Sequence, residues 1–343
     1  MQVVFILPGG GASGGVRCAS IVAKGLLDRG HDVRLLCRRP DGGLGSWIRS
    51  LRDKVVYPES ADWLSGFSGD MEQYVDIATC RFRAGELIVA FGMASSGLLA
   101  RLGHVPNRKV QYLHGSTPWC PDLMEQALRL QVPKIIVASY LRDVVASYGG
   151  NQVIGVIPNG VDCRQYYSSV PESDRDGVGL IFSWHAAKDP ETTLSVIRKL
   201  RVRRPDVPIR VFGAHRRPTE LKQVSYRRYP TVPQARGIYS RSLVWAVCSK
   251  AEGFSMPVLE AMACGCAVVA TDCGGTRDIM ADGESGFLVP PQDSERIVDK
   301  VMQLLDNRDL RERIRNNSQS AVPQFTWERT ISELEIAFRR VLA

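Results

Sequence analysis

Short apolar runs alternate along this chain with loops and with segments whose apolar residues recur at helical spacing. Val3 to Leu7 is the first such run. It ends in the loop Pro8 to Gly15, after which Val16, Ala19, Val22, Ala23, Leu26 and Leu27 recur on one stripe, so the pattern predicts a strand, a glycine loop and a helix. Val33 to Cys37, Leu87 to Phe91, Val110 to Leu113, Ile135 to Ala138 and Val153 to Ile157 are further candidates for buried strands, with helical or loop segments between them. Their spacing implies a parallel sheet.

The segment PESDRDG, from Pro171 to Gly177, is polar and turn-rich, and after it the pattern restarts at Val178 to Phe182. Ile209 to Phe212, Leu243 to Cys248, Ala267 to Ala270 and Phe287 to Val289 continue it, followed by charged amphipathic helices from Asp293 to about Ser320. The expectation is an α/β protein of two Rossmann-like doubly wound domains, residues 1–165 and 166–322, with the linker in the polar segment. Residues 323–343 predict a final helix, with Thr326 as N-cap and Ile331, Leu334, Ile336, Phe338 and Leu342 along it. Domains of this kind take ligands outside the carboxyl ends of their strands.

Composition narrows the classes. At 343 residues the chain has room for two domains, each with a sizeable core. The net charge is +8 and arginine outnumbers lysine, which suits anionic ligands. Nucleic acid is not singled out, because there is no aromatic-basic recognition motif or compact basic helix of a known type. Nine cysteines, odd in number and without a C-x-x-C pair, suggest neither a zinc site nor a disulfide framework, and a reducing cytoplasm fits them. The chain starts directly with QVVFILP, and no apolar run approaches the roughly 20 residues that span a bilayer. A cytoplasmic protein, neither exported nor membrane-spanning, is expected.

Gly9, Gly11 and Gly14 satisfy G-x-G-x-x-G between a strand and a helix, the context of a dinucleotide fingerprint. The acidic residue that would hold an adenosine ribose is replaced after the second strand by Arg38 and Arg39. Those arginines suit a 2′-phosphate, so an NADP-dependent dehydrogenase stands as one alternative. A tight turn with no ligand is another.

Residues 252 to 275 read EGFSMPVLEAMACGCAVVATDCGG and carry the most chemistry. Gly253 allows close backbone approach, and Pro257 favours an early helical position. The N–H groups of Phe254, Ser255 and Met256 would then face an anion, with the positive end of the helix dipole behind them. Glu260, about one turn into the helix, would accept hydroxyl hydrogen bonds from a ribose, and Glu252 would reach the other side of the anion. A diphosphate flanked by two polyols is a nucleotide sugar.

This stretch resembles the E-x7-E signature of the retaining glycosyltransferases of family four in the GT-B fold, including EAMACG and the VVATDCGG strand and loop. The resemblance implies two domains facing across a cleft, with the final helix crossing back onto the first. It implies roles for Gly14 and Gly15 of SGGV at the donor phosphates or acceptor, for His114 beside the donor sugar, and for Asn159 of IPNGVD at the hinge near the phosphates. A structural histidine and a plain Asn-Gly turn are the alternatives at the last two places. Gly115 stands where the family often has an acid.

Lys188 matches the lysine of the family's phosphate clamp, but its arginine partner is absent, since counting back gives Ser183 and Phe182. His185, or the cluster of His215, Arg216 and Arg217, is the candidate substitute. Losing one such cation costs on the order of 3 kcal/mol at the transition state if nothing replaces it, so a non-catalytic nucleotide-sugar-binding protein is a further alternative. The resemblance implies retention of anomeric configuration by same-face attack, in which the departing phosphate helps deprotonate the acceptor. It implies no protein nucleophile, no cofactor and no divalent metal, and the one D-x-D, Asp174 and Asp176, reads as solvated acids. Glu252, Lys188 and His114 are the expected catalytic residues. Phe254, Ser255, Met256, Glu260, His185, Gly14, Gly15 and Asn159 are the expected donor contacts.

The acceptor is left open among a glycan, a glycolipid and a small molecule. Residues 40–84 are irregular and mix Trp47, Ile48, Leu51, Trp63 and Phe67 with Arg49, Arg52 and Lys54. Such a stretch suits either an ordinary surface helix or peripheral contact with the inner face of a membrane.

Overall fold

The computed structural model describes residues 1–11, 13–39, 56, 62–150 and 152–343. The chain folds into two compact units, Met1–Gly160 with Trp327–Ala343, and Val161–Thr326.

In the first unit the apolar runs become β1 (Gln2–Leu7), β2 (Asp32–Arg38), β4 (Leu87–Phe91), β5 (Lys109–Leu113), β6 (Lys134–Ile136) and β7 (Val153–Val156), and β3 (Asp70–Tyr74) completes the sheet. All seven strands are parallel, in the order β3-β2-β1-β4-β5-β6-β7. β1 lies between β2 and β4, with Val3 paired to both Val33 and Leu87, and Val3 to Leu7 are fully buried. Strands covered on both faces read as continuous apolar runs, which is why these were visible in the sequence. Helices α1 (Gly14–Asp28), α2 (Met93–Leu98), α3 (Pro121–Leu128) and α4 (Leu141–Ser147) make connections between them. The predicted stripe on α1 faces inward at Val16, Ala19, Val22, Ala23 and Leu26.

The second unit repeats the plan with β8 (Val178–Ile181), β9 (Ile209–Gly213), β10 (Ser225–Arg228), β11 (Val244–Val247), β12 (Ala267–Thr271) and β13 (Phe287–Val289) in the parallel order β10-β9-β8-β11-β12-β13. Its helices are α5 (Pro190–Arg203), α6 (Val232–Arg241), α7 (Met256–Ala263), α8 (Thr276–Ile279), α9 (Ser294–Asp306) and α10 (Arg308–Ala321). In both sheets the strand order reverses beside the first strand of the unit, between β1 and β4 and between β8 and β11. That crevice is the ligand position of a doubly wound sheet.

One sequence expectation is corrected. The chain leaves the first unit at Gly160, and PESDRDG lies inside the second. There Arg175 is buried and donates to the carbonyls of Gly265 and Cys264, each at 2.7 Å, so the polar composition of the segment reflects an internal anchor. On the final helix, α11 (Trp327–Leu342), Ile336 points outward and is 52% exposed. The inward face is Trp327, Thr330, Ile331, Leu334, Ala337 and Phe338, the i, i+3, i+4, i+7 set from which residue 336 is excluded. α11 packs on α1 within the first unit. A Cβ at Gly25 would sit 2.2 Å from Ile331 Cδ1, so glycine permits the close approach, and Thr330 donates to the Pro158 carbonyl at 2.7 Å.

Of the aromatic and basic stretch, Trp47, Ile48, Arg49, Leu51, Arg52 and Lys54 lie outside the described residues. Trp63 carries the Arg17 guanidinium 5.1 Å above its ring.

Candidate functional site

In the second unit the loop after β8 is fixed by two successive caps. The Nδ1 of His185 accepts the Ala187 N–H at 3.2 Å and so caps the short turn Ala186–Lys188. Asp189 then takes a left-handed conformation (φ 47°) and caps α5, accepting from the Thr192 N–H at 3.2 Å and its hydroxyl at 2.7 Å. The Ala187 carbonyl accepts the N–H groups of Lys250 (2.8 Å) and Ala251 (3.2 Å), which ties this loop to the one after β11. The tie brings Lys188 Nζ to 2.7 Å from Glu252 Oε1, and Ser249 Oγ donates to the same oxygen at 2.6 Å. The pair therefore stands at the switch point between β8 and β11, on loops 64 residues apart in sequence.

Glu252 is 8% exposed, and the neighbouring strand supports it from behind: Thr271 at the end of β12 donates to the Ser249 carbonyl at 2.6 Å. Ser249 and Thr271 were not anticipated. Their only sequence signal is a small polar residue ending an apolar strand.

After Glu252 the chain turns into α7, with Met256 first and Pro257 second in the helix. Ser255 ahead of them has φ 22° and ψ 67°, a conformation that L-residues rarely adopt. Its hydroxyl is buried and has no partner. Phe254 is buried with its ring edge-on to Phe325 at 5.7 Å, so its side chain is core, and only its backbone is a candidate for ligand contact. Glu260 is 4% exposed and accepts the Tyr239 hydroxyl at 3.0 Å. Burial, reinforced by Glu260, raises the Tyr239 phenol well above its ordinary value, so it stays a donor. A ribose hydroxyl at Glu260 would share the carboxylate with that phenol.

The candidate substitutes for the missing arginine separate. Arg217 donates to the carbonyls of Leu221 and Val224, each at 2.8 Å, and to that of Lys222, so its guanidinium is spent within its own loop. Arg216 is exposed. His215 places Nε2 at 3.3 Å from Ser183 Oγ. In the D-x-D, Asp176 pairs with Arg210 and Asp174 accepts from Ser173 Oγ at 2.9 Å.

The remaining predicted residues belong to the first unit. Gly14 and Gly15 are the exposed first residues of α1, behind a Ser13 cap that accepts the Val16 N–H at 3.3 Å. A Cβ on either glycine would meet nothing within 4 Å, so internal packing gives no reason for glycine there. His114 follows β5 with its ring stacked on Phe91 at 4.0 Å and edge-on to Tyr112 at 4.2 Å. Burial lowers its pKa to about 3, so the imidazole is neutral, and its buried Nε2 has no partner. Asn159 is buried with Oδ1 likewise unpartnered. Arg38, the last residue of β2, and Arg39 after it are exposed.

Among the described residues, no group of three or more His, Cys, Asp or Glu is placed to hold a metal ion, and no helix is long and apolar enough to cross a membrane.

Residues 183–321 match the family described as glycosyl transferases group 1. The chain is similar to the D-inositol 3-phosphate glycosyltransferase of Corynebacterium urealyticum, 31% identical over 57% of this chain and 54% of that protein. It is also similar to the phosphatidyl-myo-inositol mannosyltransferase of Mycobacterium tuberculosis, 29% identical over 54% of this chain and 53% of that protein. It thus spans about half the length of these relatives. Among solved structures, HepE of Anabaena in complex with UDP superposes with a TM-score of 0.76 at 18% identity, covering 99% of this chain and 100% of that one. TarM of S. aureus, in a complex that includes UDP, gives 0.74 at 11% identity, covering 98% and 100%. The fold is GT-B, and residues 183–321 are the part of the chain that matches the glycosyl transferases group 1.

Proposed function

We propose that this protein is a retaining glycosyltransferase that moves a sugar from a nucleotide-diphosphate sugar to an acceptor hydroxyl on a glycan, glycolipid or small molecule. The observation that carries the reading is the Lys188–Glu252 pair at 2.7 Å, held at the switch point of the second sheet beside the start of α7. Breaking the bond from the anomeric carbon to phosphate requires stabilised charge on the leaving diphosphate. Lys188, 27% exposed, supplies a cation that Glu252 orients without burying. The Met256 N–H at the start of α7 and the unpartnered Ser255 hydroxyl supply neutral donors. Glu260 takes a ribose hydroxyl, and His185, on the loop between β8 and α5, contacts a phosphate.

In the first unit, the neutral His114 presents Nε2 to a sugar hydroxyl, a role that an imidazolium would perform less selectively. Gly14 and Gly15 leave room for a phosphate or acceptor oxygen against the backbone, and Asn159 offers a carbonyl oxygen. The departing phosphate receives the acceptor proton, so no protein nucleophile is required. The named relatives act on inositol-based acceptors, which supports testing cyclitol and lipid-linked acceptors first, the latter at the inner face of a membrane.

The test is transfer from UDP-glucose and GDP-mannose to a panel of such acceptors, with the anomeric configuration of the product read by NMR. An axial donor linkage giving an axial product supports the proposal. An inverted product refutes retention, and donor binding without transfer or hydrolysis favours a non-catalytic nucleotide-sugar-binding protein.

A further inference from the structure

The Lys188–Glu252 pair leaves unused a polar cluster on the β9 side of the same loop. Ser183 follows β8, His215 follows β9, and these strands are neighbours. His215 Nε2 lies 3.3 Å from Ser183 Oγ, and the same oxygen accepts the His185 N–H at 3.2 Å. The backbone that presents His215 is clamped on both sides. Tyr226 donates its hydroxyl to the His215 carbonyl at 2.8 Å, and Arg228 Nε donates to the Ala214 carbonyl at 3.1 Å. The ring is thus set at the carboxyl edge of the sheet by the ends of three strands.

Burial holds the His215 imidazole below its ordinary value, and the charges of Arg228 on β10 and His185 on the loop after β8 add to the effect. Tyr226 on β10 spends its hydroxyl on the His215 carbonyl. Of the cations on its own loop, Arg217 is turned to the carbonyls of Leu221 and Val224, and Arg216 is exposed. The resting ring is neutral at pH 7, and these neighbours disfavour its protonation. An arriving oxyanion reverses that balance, because it supplies the opposite charge.

We propose that His215, seated on Ser183, contacts the diphosphate of the donor and takes up a fraction of a proton from solvent as the donor binds. The inference rests on the reading of this site as a nucleotide-sugar site. It makes donor affinity dependent on pH, with tighter binding on the acid side.

The experiment is titration calorimetry of the full chain with UDP-glucose and with GDP-mannose, at pH 6.0 and 7.5, in buffers of different ionisation enthalpy. Both phosphates of these donors are diesters and do not titrate in that range, so proton uptake reports on the protein. Binding should take up a fraction of a proton and be about three- to tenfold tighter at pH 6.0. His215→Gln should abolish both effects, Ser183→Ala should diminish them, and His185→Gln should leave the uptake in place. Donor binding without proton uptake, or uptake that survives His215→Gln, or uptake lost only in His185→Gln, overturns the assignment. Failure of both donors to bind the wild type at either pH refutes the donor-site reading itself, and this inference with it.

Discussion

Replacing Lys188 by methionine removes the ammonium group and keeps most of the stem. In the folded protein Nζ is 2.7 Å from Glu252 Oε1, with the lysine side chain 27% exposed and the glutamate 7%. An exposed ion pair contributes about 0–1 kcal/mol, whereas removing one partner of a buried pair costs about 3–5 kcal/mol. Here the lysine keeps contact with water and Ser249 still donates to the carboxylate. A coupling of about 1–2 kcal/mol is therefore expected between Lys188→Met and Glu252→Gln in a double-mutant stability cycle. In melting temperature that is only about 2–8 °C for a unit of this size. The effect on turnover should be much larger. Removing one preorganised donor to a developing anion costs about 3–4 kcal/mol, or roughly a hundred- to thousandfold in kcat. Urea denaturation gives the first number and initial rates with a saturating donor give the second. A folded Lys188→Met enzyme that keeps more than a tenth of wild-type turnover would refute the role given to the ammonium.

Three further perturbations separate packing from function. Ser255→Gly relieves the backbone at φ 22° by about 1 kcal/mol, so the melting temperature should rise while nucleotide affinity falls with the lost hydroxyl; unchanged affinity counts against Ser255 as a ligand group. Gly179→Ala on β8 would set a Cβ 2.2 Å from the fully buried Trp245 ring, and urea denaturation should show a loss of about 3 kcal/mol. His114 titrates near 6.5 when unfolded and at about 3 when folded, so the unfolded chain binds the proton first. Its contribution is complete above pH 6.5 and falls by about 1.4 kcal/mol per unit as the pH drops towards 3. Between pH 7 and pH 5 the wild type should lose about 2 kcal/mol that His114→Phe retains; equal losses would mean that His114 is protonated in the fold.

Physical causes decide which parts of the molecule could be read from the chain. Strands such as Leu87–Phe91 and Ala267–Thr271 are buried throughout, and their apolar runs gave them away. β3 (DMEQY) and β10 (SYRR) escaped because they are edge strands with largely exposed polar side chains, and a strand with one solvated edge need not be apolar. The E-x7-E spacing located Glu252 and Glu260 on either side of a helix start. It could not show that Glu260 lies under Tyr239, a contact made by another helix. Nor could it show that Lys188 meets Glu252, since the Ala187 carbonyl that joins their loops acts through backbone bonds and leaves no mark on residue identity. Arginine as a residue type promised a phosphate ligand at Arg217, and only the fold reveals that three carbonyls occupy it.

The central claim is that the second unit binds the diphosphate of a nucleotide sugar at the switch point of its sheet. A thermal-shift panel of the purified chain and of Lys188→Met against UDP, GDP, ADP, dTDP and NADPH tests it without any acceptor. At a hundred times its dissociation constant a ligand adds about 2.7 kcal/mol, a shift of several degrees. The account predicts stabilisation of the wild type by a nucleoside diphosphate, a much smaller shift in Lys188→Met, and none with NADPH. Stabilisation by NADPH alone, or equal shifts in the wild type and Lys188→Met, would contradict it.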